Sequence, residues 1–197
     1  MNERMTSLFG MALGVILVNN LVLSQLLGVG PFLEGSGSTR RAARMGAAMV
    51  LVMGLTAAVC WPLNEYLLAP NGLRHLESLV FLLVAALLVE GLELLGGKLF
   101  PTRWKGGEDT LALIANCAVM GVILQNVQNG YGFGESVVYA VAGGLGFLLV
   151  ICLFASLRER LEFGNCPKAF RGFPIALVTA GLMALCFSGF SNLTLFG

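Results

Sequence analysis

Leu17-Val18-Asn19-Asn20-Leu21-Val22-Leu23 places two adjacent amides in the middle of an apolar run that extends approximately over residues 6–29. A helix needs about 20 apolar residues to cross a bilayer, so the run has the length of a span. Adjacent Asn side chains at mid-membrane depth are costly unless partners satisfy them. They suit a broken or re-entrant helix, whose loose backbone lies against protein and not against lipid. The first span is therefore expected to be interrupted at Asn19-Asn20, with Ser24 and Gln25 following closely.

Five more stretches of comparable character follow, approximately at 42–62, 76–96, 109–127, 136–157 and 173–193. Composition agrees: of 197 residues 57% are hydrophobic and 12% are charged, against roughly 25% charged in a soluble domain. The expected fold class is an all-α integral membrane protein with six transmembrane helices, forming a single membrane domain over 1–197. The N-terminal apolar run outlasts a signal-peptide h-region and no small-residue cleavage site precedes a polar mature chain, so it reads as a first span. The net charge of +1, with no basic tail or aromatic-basic patch, gives no reason to expect nucleic acid. The 26 glycines suit helix backbones that approach closely, and Gly10 and Gly14 form one GxxxG pair.

The fourth stretch repeats the first. Ile114-Ala115-Asn116-Cys117-Ala118-Val119-Met120 can be laid over residues 17–23 at an offset of 97. The same offset puts Gly46 on Gly143 and Arg74 on Arg171. Three spans per half invert the second half, giving an inverted repeat of halves about 1–97 and 98–197, with spans one and four broken. Ten basic residues fall in the linkers after spans one, three and five, and only Arg4 and Arg74 on the other side. The bias predicts cytoplasmic odd-numbered linkers and both termini outside.

Among side chains that could carry chemistry, Cys117 has two readings, an inert buried thiol or a metal or iron-sulfur ligand completed by a partner chain. Glu90 and Glu93 share one helical face, either as interfacial acids near Lys98 or as part of a cation path. His75, Cys60, Cys152, Cys166 and Cys186 read as packing or surface residues. No C-x-x-C pair, nucleophile with a paired base, phosphate-binding loop or hydrolytic triad is present. A stand-alone secondary transporter fits the broken helices, but the midplane offers it no acidic or basic substrate site.

Leu17-Val18-Asn19-Asn20 with Leu26-Leu27-Gly28-Val29-Gly30-Pro31-Phe32, then Asn116-Cys117-Ala118-Val119-Met120-Gly121, Leu157-Arg158-Glu159-Arg160-Leu161, Phe170-Arg171-Gly172, Ile175 through Gly181-Leu182-Met183, and Gly189-Phe190-Ser191 resemble the A subunits of the Rnf ion-translocating electron transport complexes over essentially the whole chain. That small family includes the D and E subunits of the Na+-translocating NADH:quinone reductase, of which the latter usually carries Glu-Asn where this chain has Asn19-Asn20. The resemblance implies a six-helix subunit of inverted halves in a bacterial or archaeal cytoplasmic (inner) membrane. It implies pairing with the homologous E subunit, of opposite topology, among the other Rnf subunits (B, C, D and G). Each of the two homologues would give two cysteines to one shared [2Fe-2S] cluster relaying electrons between ferredoxin and NAD, coupled to Na+ or H+ transport. It implies no flavin in this chain, and no enzyme activity in this chain alone.

Cys117 matches the second of the family's cysteines. Gly30 stands where the family usually carries the first, and glycine has no side chain to ligate iron. Three arrangements stay open: a cluster with three cysteines and a foreign ligand, a cluster-less structural or ion-conducting paralogue, or an engineered or lineage substitution with another electron route.

Overall fold

The computed structural model of the protein describes residues 2–70, 72, 76–99, 117–162 and 172–189. Among them the chain is helical without strands, in six helical regions, the first divided in two. Helix α1 (Asn2–Leu13) runs into a π-helical turn (Gly14–Val18), and after a non-helical segment at 19–28 comes α2 (Val29–Gly35). Then follow α3 (Thr39–Leu63) with a second π-helical turn (Asn64–Leu68), α4 (Glu77–Leu99), α5 (Cys117–Gln128), α6 (Phe133–Glu162) and α7 (Phe173–Ser188). The fourth expected stretch is described from Cys117 onward and the sixth up to Gly189. Asn116, His75, Arg74, Cys166 and Arg171 lie outside the described residues.

Local chemistry sets the boundaries. At the start of α3 the Ser38 hydroxyl accepts from the Arg41 amide, an N-cap that satisfies one orphan donor. Pro62 lies inside α3 and has no N–H to give the preceding turn. A π-helical turn, Asn64–Leu68, follows directly. Helix α5 ends where Gly130 takes a φ of 63°, with Gly130 N bonded to Val127 O and Tyr131 N to Asn126 O. The positive φ that glycine adopts without strain is what lets these bonds close the helix end.

The core is an antiparallel pair, α3 against α6. Gly46 lies on Leu148, Gly144 on Val50 and Gly54 on Val141, so position numbers rise along one helix as they fall along the other. A Cβ at Gly144 would sit 2.7 Å from the Val50 Cα, and one at Gly46 2.9 Å from the Leu148 Cα. Backbones this close require glycine, as lipid-embedded bundles do. The close approaches fall there and not at Gly14, where a Cβ would meet nothing within 4 Å. The buried face of α3 repeats at helical spacing as Ala42, Met45, Met49, Met53, Thr56 and Cys60. Phe32 of α2 packs against α6, stacked on Phe154 with ring centroids 4.6 Å apart and edge-on to Phe147.

The remaining faces are apolar and outward. Leu79, Leu82, Leu83 and Leu87 on α4, and Leu177, Val178, Leu182 and Leu185 on α7, are exposed. Thr39–Leu68 and Phe133–Leu161 are long and apolar enough to cross a membrane, with mean hydropathies of 1.9 and 2.5. Such continuous apolar surface belongs against lipid or another apolar protein face.

Substituting Gly144 by Ala forces a Cβ onto Val50 backbone and is expected to destabilise the chain by about 1–3 kcal/mol. Gly14→Ala, into open space, is expected to change stability by no more than about 0.5 kcal/mol. Denaturant titration of the purified chain in detergent checks both.

Candidate functional site: the interrupted first span

The first helix stops at Val18 because the chain there meets Asn19 and Asn20. Asn19 closes the π-helical turn, its N–H donating to Gly14 O at 2.8 Å, while its side chain stays exposed. Asn20 is fully buried and bridges the gap. Its Nδ2 donates to Ile16 O at 3.0 Å, and its Oδ1 accepts from Val22 N at 3.1 Å and Leu23 N at 3.4 Å. One amide thus replaces helix bonds on both sides of the break, as a lipid-embedded backbone requires. Gly146 on α6 admits the bridge: a Cβ there would lie 3.0 Å from Asn20 Nδ2.

Beyond the break the chain turns sharply. Ser24 Oγ donates to Val18 O at 2.9 Å, and Leu27 N donates to Leu21 O at 2.9 Å. Leu26 takes a φ of 56° and Gly28 one of 76°. The left-handed conformation is natural for Gly28 and strained for Leu26, and such strain persists only where the surroundings impose it. The turn delivers the Gly28 N–H to Cys117 Sγ at 3.0 Å. That bond joins the interrupted first span to the start of α5, across 89 positions of sequence.

A second polar link lies further along α5. Gln125 Nε2 donates to Gln25 Oε1, and Tyr139 O–H on α6 donates to Gln125 Oε1. Tyr139 is buried and packs against Tyr131, with centroids 5.4 Å apart. Trp61 Nε1 donates to Tyr131 O at 2.8 Å, tying α3 to the same turn.

At the other end of α2, two consecutive residues of α6 hold the corner between α2 and α3. Arg158 Nη1 donates to Leu33 O at 2.9 Å and to Ser36 Oγ at 2.7 Å, and Glu159 Oε1 accepts from Thr39 N at 2.7 Å. The cation meets the C-terminal end of α2 and the anion the N-terminal end of α3, each opposite in sign to the helix dipole it faces.

The expected site residues are thus partly assembled. Cys117 carries an exposed thiol beside the break. Gly30, in the first turn of α2, is exposed, and a Cβ there would meet nothing within 4 Å. Cys60 is buried, Cys152 half-buried and Cys186 exposed. Glu90 is exposed on α4, and the side chain of Glu93 lies outside the described set. Among the described residues no three His, Cys, Asp or Glu side chains gather as a metal site. Gln25, Gln125, Tyr139 and Arg158, none of them expected as site residues, hold the interrupted span through hydrogen bonds. Gln125 shares a helical face with Cys117, which was a signal available for it, while Tyr139 and Arg158 carried none.

A family model described as the Rnf-Nqr subunit, a membrane protein, matches residues 8–194. The chain belongs to the Rnf-Nqr family. The A subunit of the Na+-translocating ferredoxin:NAD+ oxidoreductase complex of Acetobacterium woodii is 45% identical over 192 residues, covering 97% of this chain and 100% of the relative. The A subunit of the ion-translocating oxidoreductase complex is 43% identical in Syntrophotalea carbinolica, over 96% of this chain and 98% of the relative. Its counterpart in Edwardsiella ictaluri is also 43% identical, over 98% and 100%. In this Rnf-Nqr chain Leu21 beside the break and Val122 of α5 both pack at Gly143 of α6.

Asn20→Leu strands Ile16 O and two amides and is expected to cost at least about 2 kcal/mol, whereas Asn19→Leu should stay within about 0.5 kcal/mol. Denaturant midpoints of the detergent-solubilised chain compare the two. Arg158→Met, which removes a charged donor from Leu33 O and Ser36, is expected to cost roughly 1.5–3 kcal/mol. Hydrogen exchange at the amides of α2 and the 36–38 corner should rise first.

Proposed function

We propose that the chain is the A-type membrane component of an Rnf-type ferredoxin:NAD oxidoreductase, relaying electrons across the membrane with the homologous E subunit, coupled to Na+ or H+ translocation. The observation that carries this reading is the exposed Cys117 thiol, held by the Gly28 N–H where the interrupted span meets α5. Similarity along nearly the full length to the A subunits of ferredoxin:NAD+ and ion-translocating oxidoreductases supports it.

The donor set fits one corner of a [2Fe-2S] cluster shared with the E subunit, and Cys117 is the residue that would hold it. A thiolate is the ligand such clusters take, and an N–H donated to its sulfur favours the reduced state by spreading negative charge. The second family position does not fit, since Gly30 offers space and no side-chain donor. When bound, the cluster would supply one-electron storage between the redox subunits on the two membrane faces. This chain's part is to hold the thiol at the surface that faces a partner, and to keep the break around it hydrogen-bonded and rigid.

The reading includes two inverted halves, about 1–97 and 98–197, with spans one and four broken or re-entrant. The register of the core supports it. With Gly46 on Leu148 and Val50 on Gly144, residues 48–49 of α3 face residues 145–146 of α6, the pair that an offset of 97 assigns to one another. The distribution of basic residues supports both termini on the non-cytoplasmic side. The E subunit would then have the opposite topology, with the B, C, D and G subunits completing the complex. The second reading, a cluster-less structural or ion-conducting paralogue, is favoured by Gly30 alone.

Iron analysis and electron paramagnetic resonance of the purified complex separate the readings. A [2Fe-2S] signal that disappears in Cys117→Ala and changes its line shape in Gly30→Cys is expected. A signal indifferent to Cys117→Ala sinks the ligand role, and an iron-free pair of the two homologues that still assembles establishes the paralogue.

A further inference from the structure

Cys117, Gly121 and Gln125 stand four residues apart on α5, on one face of the helix. Each meets the segment between Asn20 and α2. Cys117 accepts from Gly28 N. A Cβ at Gly121 would collide with Leu27. Gln125 donates to Gln25. The partners fall in number as the helix positions rise, so the segment lies antiparallel along just over two turns of α5. Leu26, between Gln25 and Leu27, is 70% exposed.

We infer that Cys117-Gly121-Gln125 is a docking stripe that fixes the register of this segment, and that Gln125 is the positioning residue which places the Gly28 N–H on Cys117. The three contacts differ in chemistry, an N–H on sulfur, a leucine filling the space of an absent Cβ, and an amide pair. A slip by one residue therefore breaks all three at once. Gln125 is itself oriented from behind. Its carbonyl oxygen accepts from Tyr139 O–H, which leaves its NH2 to face Gln25. An amide presents a donor on one side and an acceptor on the other, and in this arrangement the donor side faces the segment. Only Leu26 and Leu27 separate Gln25 from Gly28, and Leu26 sits at a strained φ of 56°. A displacement at Gln25 therefore carries directly to Gly28. The register stands on the geometry alone; its importance for electron transfer rests on the reading of Cys117 as a cluster ligand.

The test has two arms on the assembled complex in its membrane. In the first, Gln25→Cys with Gln125→Cys is oxidised with copper-phenanthroline and the bridged peptides are identified by mass spectrometry. Leu26→Cys with Gln125→Cys is the comparison. Ready bridging in the first pair and little or none in the second is expected, because a disulfide needs Cβ atoms roughly 3.5–4.5 Å apart and the Leu26 side chain is exposed, away from α5. Equal rates overturn the register. In the second arm, Gln125→Leu and Gly121→Ala are each expected to shift the reduction potential of the Cys117-dependent signal. Adding Leu27→Ala to Gly121→Ala should restore it, which a merely structural defect would not allow, and this pair decides the matter if Gln125→Leu fails to assemble. A potential unmoved in assembled variants overturns the positioning role. If the signal proves independent of Cys117, the electron-relay reading fails and the bridging result stands. The rate of Cys117 alkylation by N-ethylmaleimide then decides: about tenfold faster in Gln125→Leu supports the role, and an unchanged rate overturns it.

Discussion

A helix broken inside an apolar layer must satisfy its freed backbone groups with atoms of the protein, because lipid offers none. Asn20 meets that constraint, and the rest of the site depends on it. One buried side chain bonds the last turn before the break and the first amides after it. With those groups satisfied, the chain is free to turn through Leu26 and Gly28 and bring a backbone N–H to Cys117. Without that bridge, the same residues would be an expensive run of unpaired amides.

The bridge needs a firm wall behind it, and the α3–α6 pair supplies one. Glycines at 46 and 144 let α3 approach α6 at distances no Cβ would allow, and Gly146 lets Asn20 approach α6 where a Cβ would be tight. Arg158 and Glu159, in the last turns of α6, then fasten the far end of α2 and the start of α3, one on a carbonyl and one on an amide. The interrupted span is therefore held at both of its edges by α6 and along its length by α5. This distribution suits a subunit whose proposed task is to keep a redox ligand at a fixed distance from a partner. Electron transfer through such a site asks for little motion within the chain.

Much of this was legible in the sequence, and the reasons are physical. Crossing lipid demands long apolar runs, so the six helical regions were visible from hydropathy, and adjacent Asn residues marked the interruption. Which Asn turns inward was not visible. Asn19 and Asn20 are chemically identical, and only the wall presented by α6 buries one and leaves the other exposed. Gln25 stood out as a polar residue within an apolar stretch, but its pairing with Gln125 across 100 positions leaves no local pattern. Arg158 was legible as one charge in a topological count, while its hydrogen bonds to Leu33 and Ser36 belong to the tertiary fold. The Gly10 and Gly14 motif drew attention that the geometry gives to Gly46 and Gly144, because helix propensity and spacing do not say which face meets a neighbour. The first family cysteine position was legible at once as Gly30, and the open space around it leaves that departure as plain in three dimensions as in one.

The central claim is that the thiol beside the break holds metal in the assembled complex. An experimental density map of the purified complex, at a resolution that separates iron from sulfur, tests it most directly. The expected map shows iron bonded to Cys117 Sγ, with the Gly28 amide still directed at that sulfur and a homologous partner completing the ligand set. A map in which the Cys117 thiol rests against lipid or protein, with no metal beside it, would contradict the claim.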